Sequence, residues 1–218
     1  MSVRFLLIFS VVALAAAFAG YPETAALAGG KPGSQSAAVL TLDPATTQIH
    51  YTLQGWPHVT YGTFRLDQGV IRIDPATGKT AGKIVVSAAS GDSGSAMRDR
   101  EMKHGILDVQ DYPDIVFTPE SAQGHRTPQG AFPAIVYGAL SLRGESHPFT
   151  MNVSVQSDGN NFTVTTRFAI PYVAWGLKNP SILVFRCADT VYVDVSAQGR
   201  VTWESAATAA GSPRASAQ

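Results

Sequence analysis

Arg98-Asp99-Arg100-Glu101-Met102-Lys103-His104, then Ile106-Leu107-Asp108-Val109, then Tyr112-Pro113-Asp114-Ile115-Val116-Phe117, reads as one charged helix followed by a return strand. The helix is predicted from Ser93 to His104, with Ser93 as its cap, good helix formers from Met97 to Lys103, and Gly105 as its stop. Met97 and Met102, five residues apart, do not share a helical face. It is the single helical stretch in a chain that otherwise alternates.

On both sides of it the period is two, the mark of strands with one buried face. Ile49, Tyr51 and Leu53 alternate with His50 and Thr52; Phe149, Met151, Val153 and Val155 alternate with Thr150, Asn152 and Ser154. Phe162, Val164, Phe168 and Ile170 form a third such set, and Val191, Val193 and Val195 a fourth. Turn chemistry separates them at Asp43-Pro44-Ala45-Thr46, Asp74-Pro75-Ala76-Thr77-Gly78 and Asp158-Gly159. The last lies between two strongly alternating runs and predicts a hairpin, since Asp and Gly tolerate the positive φ of a tight return. Between eight and ten strands with one helix and no βαβ rhythm define an all-β fold, either a sandwich or a closed antiparallel barrel. Closure removes exposed sheet edges, and Gly62, Gly69, Gly138 and Gly144 stand where a barrel wall would bend or bulge.

The two ends differ from this body. Arg4 precedes an uncharged apolar run from Phe5 to Ala17, and Ala17-Phe18-Ala19 closes it with small residues, so residues 1–19 read as a secretory signal peptide. Cleavage is expected after Ala19 or, at a second site, after Ala28. Residues 20–38 read as a flexible linker, 39–203 as the folded domain, and 204–218 as a disordered Ala/Ser/Gly-rich tail. The expected location is the periplasm or the medium. Cys187 is the lone cysteine, so no internal disulfide braces the domain. Its plain role is that of a small apolar residue near a strand.

Sixteen basic residues balance sixteen acidic ones, and no basic run interleaves with aromatics, which removes the footprint of a nucleic-acid binder. The partner expected is apolar or neutral. His50, His58, His104, His125 and His147 are scattered without a metal-binding spacing, and no nucleophile elbow or phosphate loop is present. These readings point to no enzyme, no metal and no cofactor. Arg98 and Asp99, adjacent and about 100° apart on a helix, are read as an ion-pairing set that fixes the helix, with head-group binding as the alternative. Tyr51, Trp56, Phe64, Phe117, Phe149, Phe168, Tyr172 and Trp175 are the candidates for the inner face. Periodicity leaves open whether they fill a dry core or line a pocket.

Tyr61-Gly62-Thr63-Phe64, the Arg98-Asp99 helix running into Tyr112-Pro113 and Phe117, Gly138-Ala139-Leu140-Ser141-Leu142-Arg143-Gly144 before His147-Pro148-Phe149, and Ile170 to Gly176 occur in the order seen in the YceI-like polyisoprenoid-binding family. Over residues 39–200 the chain resembles that family. The resemblance implies an exported, lipocalin-like antiparallel barrel of about eight strands holding a long-chain isoprenoid or related lipid. On that reading the eight aromatic residues are ligand-binding, and Gly55 to Tyr61 and Lys178 to Asp189 are gating loops. Transient membrane contact and a homodimer are compatible with it. The competing readings are an exported β-sandwich interaction domain without a ligand, and a small hydrolase or isomerase using a cavity histidine, His58 or His104, with Asp99.

Overall fold

The computed structural model describes residues 37–124 and 131–204. His125, the expected signal peptide and all but the last two residues of the expected linker fall outside this range, as do the residues beyond Glu204 that read as a tail. Nine antiparallel strands follow in order: β1 (Ala38–Leu42), β2 (Gln48–Trp56), β3 (Thr60–Ile73), β4 (Thr80–Asp92), β5 (Asp114–Gly124), β6 (Phe132–Leu142), β7 (Glu145–Asp158), β8 (Asn161–Ile170) and β9 (Arg186–Trp203). Each pairs with its neighbour in sequence from β2 to β9, and β9 pairs back to β2, closing a barrel. Closure rules out the sandwich.

Nine strands make eight lanes because β1 and β2 run in series along one lane. β1 pairs the far ends of β3 and β9, with Thr41 opposite Val70 and Arg200, while β2 pairs their nearer halves, with Ile49 opposite Phe64 and Val195. The residues from Asp43 to Thr47 therefore interrupt a strand rather than reverse it. Asp43 Oδ1 accepts the Ala45 N–H at 2.9 Å and the Asp43 carbonyl accepts the Thr47 hydroxyl at 2.8 Å, so the excursion satisfies its own polar groups.

The other turns reverse the chain. Asp74 Oδ1 accepts the Ala76 N–H, its Oδ2 accepts the Thr77 hydroxyl, and Gly78 takes φ 70° between β3 and β4. Gly159, at φ 59°, opens the two-residue return between Asp158 and Asn161. Gly144 does not bend the wall as expected. With Arg143 at φ 51° it makes the two-residue return from β6 to β7, where both φ are positive. Gly62 and Gly138 do sit in the wall: a Cβ on Gly62 would strike the Tyr51 ring and the Asp92 carbonyl, and one on Gly138 the Thr118 carbonyl. Opposite Gly138 the β5 register shifts between Pro119 and Ser121.

The alternation holds as read. Ile49 and Tyr51 are buried between exposed Gln48 and His50, and Val153, Phe162, Ile170 and Val193 face inward in their strands. The helix differs. Only Ala96–Arg100 is α-helical (α1); Glu101–Ile106 continues it as a π-helical stretch that includes Gly105, the expected stop. Ser93 lies outside the helix instead of capping it, and the residue before α1, Ser95, makes no side-chain capping bond. The wider turn brings Met102, Ile106 and Leu107 onto the barrel interior, which a charged surface helix ending at Gly105 would not do.

Candidate functional site

Along the strands the inward side chains leave a cavity of about 660 Å³ running through the barrel. At one end it is bounded by Tyr172, Leu177 and Pro180 from the β8–β9 connection and by Met102 and Leu107 from the helical segment. At the other it reaches Pro75, Thr80, Phe132 and Trp203. Its wall is almost wholly apolar, so water inside would find few partners and a hydrocarbon would lose none. Thr80 is one of the few polar lining residues, and its buried hydroxyl has no hydrogen-bond partner.

Of the eight aromatic candidates, Tyr51, Phe64, Phe117, Phe149, Phe168 and Tyr172 line this cavity. Phe149 sits at the centre of the cluster, edge-on to Phe168 at 5.2 Å and to Phe117 at 6.4 Å, while Tyr51 tilts against Phe64 at 5.5 Å. Trp56 and Trp175 do not line it. Trp56, at the last position of β2 beside the cis bond to Pro57, is 68% exposed. Trp175, on the β8–β9 connection, stacks on His147 at 4.3 Å and stands edge-on to Phe149 at 6.0 Å, packing against the core without lining the cavity itself. Both stand in stretches where no alternation sets a side chain's direction, so residue type alone points them inward.

Aliphatic residues carry more of the wall than the aromatic set suggests. Leu40, Leu66, Ile84, Val136, Met151 and Val193 all face the cavity. Their signal was the same period of two that marked the strands.

The polar groups near the helical end are structural. Asp99 Oδ1 accepts the Ser93 N–H at 2.8 Å and its hydroxyl at 2.6 Å, while Arg98 donates from Nε to Ser93 Oγ at 3.2 Å and from Nη2 to the Ser93 carbonyl at 3.0 Å. Arg98 and Asp99 thus grip Ser93, three residues ahead of the helix, rather than pair as an ion bridge. The Ser93 hydroxyl, above all, holds the Asp99 carboxyl below its ordinary value. Burial and then the Asp99 charge push the Tyr51 phenol up. Burial, with Cys187 and Asp189 adding to it, pushes Tyr172 up to about 12, and its hydroxyl donates to the Ala188 carbonyl at 2.8 Å. Lys178, on the β8–β9 connection, meets Glu101 of the π-helical stretch at 3.0 Å, which ties the two covers of this end together.

No histidine lines the cavity, and His50 and His58 are not brought together: His50 stands opposite Thr63 and Asp194, and His58 lies in the β2–β3 connection. Among the described residues no three His, Cys, Asp or Glu side chains gather as a metal site.

A closed antiparallel barrel around an apolar internal cavity, with one short helical segment at its mouth, defines the class of small β-barrels built to enclose an apolar guest. The chain belongs to the YceI-like family, whose domain matches residues 40–199. Among the solved structures that share its fold are two. One is BcnA of Burkholderia cenocepacia, at 19% identity and TM-score 0.57 over 72% of this chain and 98% of that one. The other is a polyisoprenoid-binding domain from Saccharophagus degradans implicated in plant cell wall breakdown, at 15% identity and TM-score 0.56 over 77% and 99%. A search of curated proteins finds no match to the chain.

Proposed function

We infer that this protein carries or stores a polyisoprenoid or a similar long-chain lipid inside its barrel, and that it is a binding protein rather than a catalyst. The observation that supports this most is the cavity itself. At about 660 Å³ it falls within the range of roughly 300–1,000 Å³ typical of small-molecule sites. Its lining offers apolar area on every side and almost no directional polar contact, which suits a long neutral chain and supplies about 25 cal/mol for each Å² buried. Family membership and the polyisoprenoid-binding neighbour agree with this reading. Nothing in the lining suggests acid–base or nucleophilic chemistry.

Entry is at the helical end. The β2–β3 connection and the β8–β9 connection both lie there, and the second shares the cavity wall through Tyr172, Leu177 and Pro180. Displacing that segment opens the bore. The leader-like sequence from Met1 to Ala19 supports export to the periplasm or beyond, where a barrel can ferry a lipid through water.

Organic extraction of the purified protein followed by mass spectrometry tests the assignment. A long-chain isoprenoid or related lipid is expected in near-stoichiometric amount. A protein that emerges empty and takes up no isoprenoid alcohol on titration would refute it.

A further inference from the structure

The β8–β9 connection that covers the helical end carries one stretch that serves neither the cavity nor the core. Ile182-Leu183-Val184-Phe185 is exposed throughout, Leu183 at 97%. Four adjacent apolar side chains in water contribute nothing to folding, and a contiguous apolar patch of this kind marks a contact surface.

The tip is held in shape. Ile182 and Phe185 exchange backbone hydrogen bonds of 2.8 and 3.1 Å, closing a small hairpin. Beneath it the Cys187 N–H donates to Ser181 Oγ at 2.8 Å, and Asn179 Nδ2 donates to the Cys187 carbonyl at 3.1 Å and to Asp189 Oδ1 at 2.6 Å. A polar clamp thus presents the hairpin outward. Exposed Trp56 stands on the neighbouring strand, in register with Arg186 at the base of the tip.

Charge selects the occupant. Lys178 is paired with Glu101 at 3.0 Å and Asp189 is taken up by Asn179 in the clamp, so from Pro180 to Ala188 the one charged residue is Arg186, and from Gly55 to Tyr61 there is none. The surface is a protrusion, not a groove for a strand or helix. Apolar side chains at its point, a tryptophan at its flank and the Arg186 guanidinium at its base match the layers of an anionic bilayer: acyl chains, interface and phosphates.

We propose that Ile182 to Phe185, with Trp56, is a docking tip that seats this end of the barrel on an anionic phospholipid bilayer, so that lipid passes between membrane and cavity without crossing water. The proposal rests on the lipid-carrier reading and adds the partner surface from which the cavity is loaded. The segment that bears the tip also bounds the cavity through Tyr172, Leu177 and Pro180, which places the bore next to the membrane in the docked state.

The test uses the full chain with vesicles of phosphatidylcholine and phosphatidylglycerol containing brominated phospholipid, read by tryptophan quenching. Quenching is expected in the wild type and largely lost in W56F, which assigns the signal to Trp56. It should fall about tenfold or more in L183S/V184S, each serine removing one apolar anchor. Thermal melting monitored by circular dichroism checks that this variant folds, and uptake of farnesol added from solution reads the cavity separately. Uptake is expected to be alike in wild type and variant. Normal uptake with an unquenched Trp56, or quenching unchanged in L183S/V184S, overturns the docking tip alone; failure of uptake in both proteins overturns the carrier reading beneath it. Concentration-dependent self-association that L183S/V184S abolishes, with Trp56 unquenched, assigns the tip to a second copy of the chain and overturns the membrane assignment.

Discussion

Tyr172 joins the cavity wall to the segment that covers it. Its ring lines the bore, and its hydroxyl donates to the Ala188 carbonyl at the start of β9. Removing the hydroxyl in Y172F leaves that carbonyl without this donor, a cost of about 0.5–1.5 kcal/mol. The pH dependence has a definite sign. The folded phenol is raised to about 12 from an ordinary 10.0, so its stabilising contribution is complete below pH 10 and is lost as the pH rises toward 12. The melting temperature of the wild type should therefore exceed that of Y172F at neutral pH, and the gap should narrow through the alkaline range. A gap constant in pH would mean that the phenol is as free to ionise in the folded state as in the unfolded one. Tyr172 was legible as an inner-face residue because aromatic residues bury large area. Trp56 was misplaced by the same reasoning: it ends its strand, and beyond a strand end the period of two no longer sets a direction.

At the scale of elements, the strands were legible and the helix only in part. Each strand writes its buried face into its own sequence, as Val191, Val193 and Val195 do, and needs no knowledge of its partner. The helical segment answers to tertiary contacts instead. Met102, Ile106 and Leu107 must reach the barrel interior together, and a π-helical turn through Gly105 presents them, although local propensity ends the helix there. The start of the helix is likewise fixed by longer-range bonds than a cap, with Arg98 and Asp99 of α1 holding Ser93 ahead of it. The Asp43 turn stands where turn chemistry put it, although such chemistry marks an interruption without saying whether the chain reverses. Asp99 offers the test. Its folded carboxyl is held below the ordinary 3.8, chiefly by the Ser93 hydroxyl, so its contribution is present above that value and is lost as the pH falls through it. D99N should melt below the wild type at neutral pH, and the two curves should converge on acidification below about pH 4. Parallel curves down to low pH would show that the carboxylate charge does not stabilise the start of the helix.

For the whole molecule, strand number and period marked an all-β fold but left sandwich or barrel open, and hollowness was not legible either. An inward side chain must be apolar whether it meets another side chain or a guest, so the alternation that identifies a wall says nothing about what the wall encloses. That depends on circumference: a barrel of about eight strands is the size at which the interior either just fills or just holds one small ligand. Here β1 and β2 share a lane and keep the count at eight, and half of the residues lining the cavity are Val, Leu or Ile, which leave the bore open. Val136 on β6 makes the hollow interior testable, because it faces the cavity and is only partly buried. In a filled core, enlarging such a residue to phenylalanine costs about 1–3 kcal/mol. In a hollow barrel the added ring enters free space, so V136F should melt within about 1 kcal/mol of the wild type while occupying volume that the lipid needs. Mass spectrometry of extracted V136F should then show less bound lipid, or a shift toward shorter chains. A strongly destabilised V136F would mean that the inside is already packed, and the carrier reading would lose the space on which it depends.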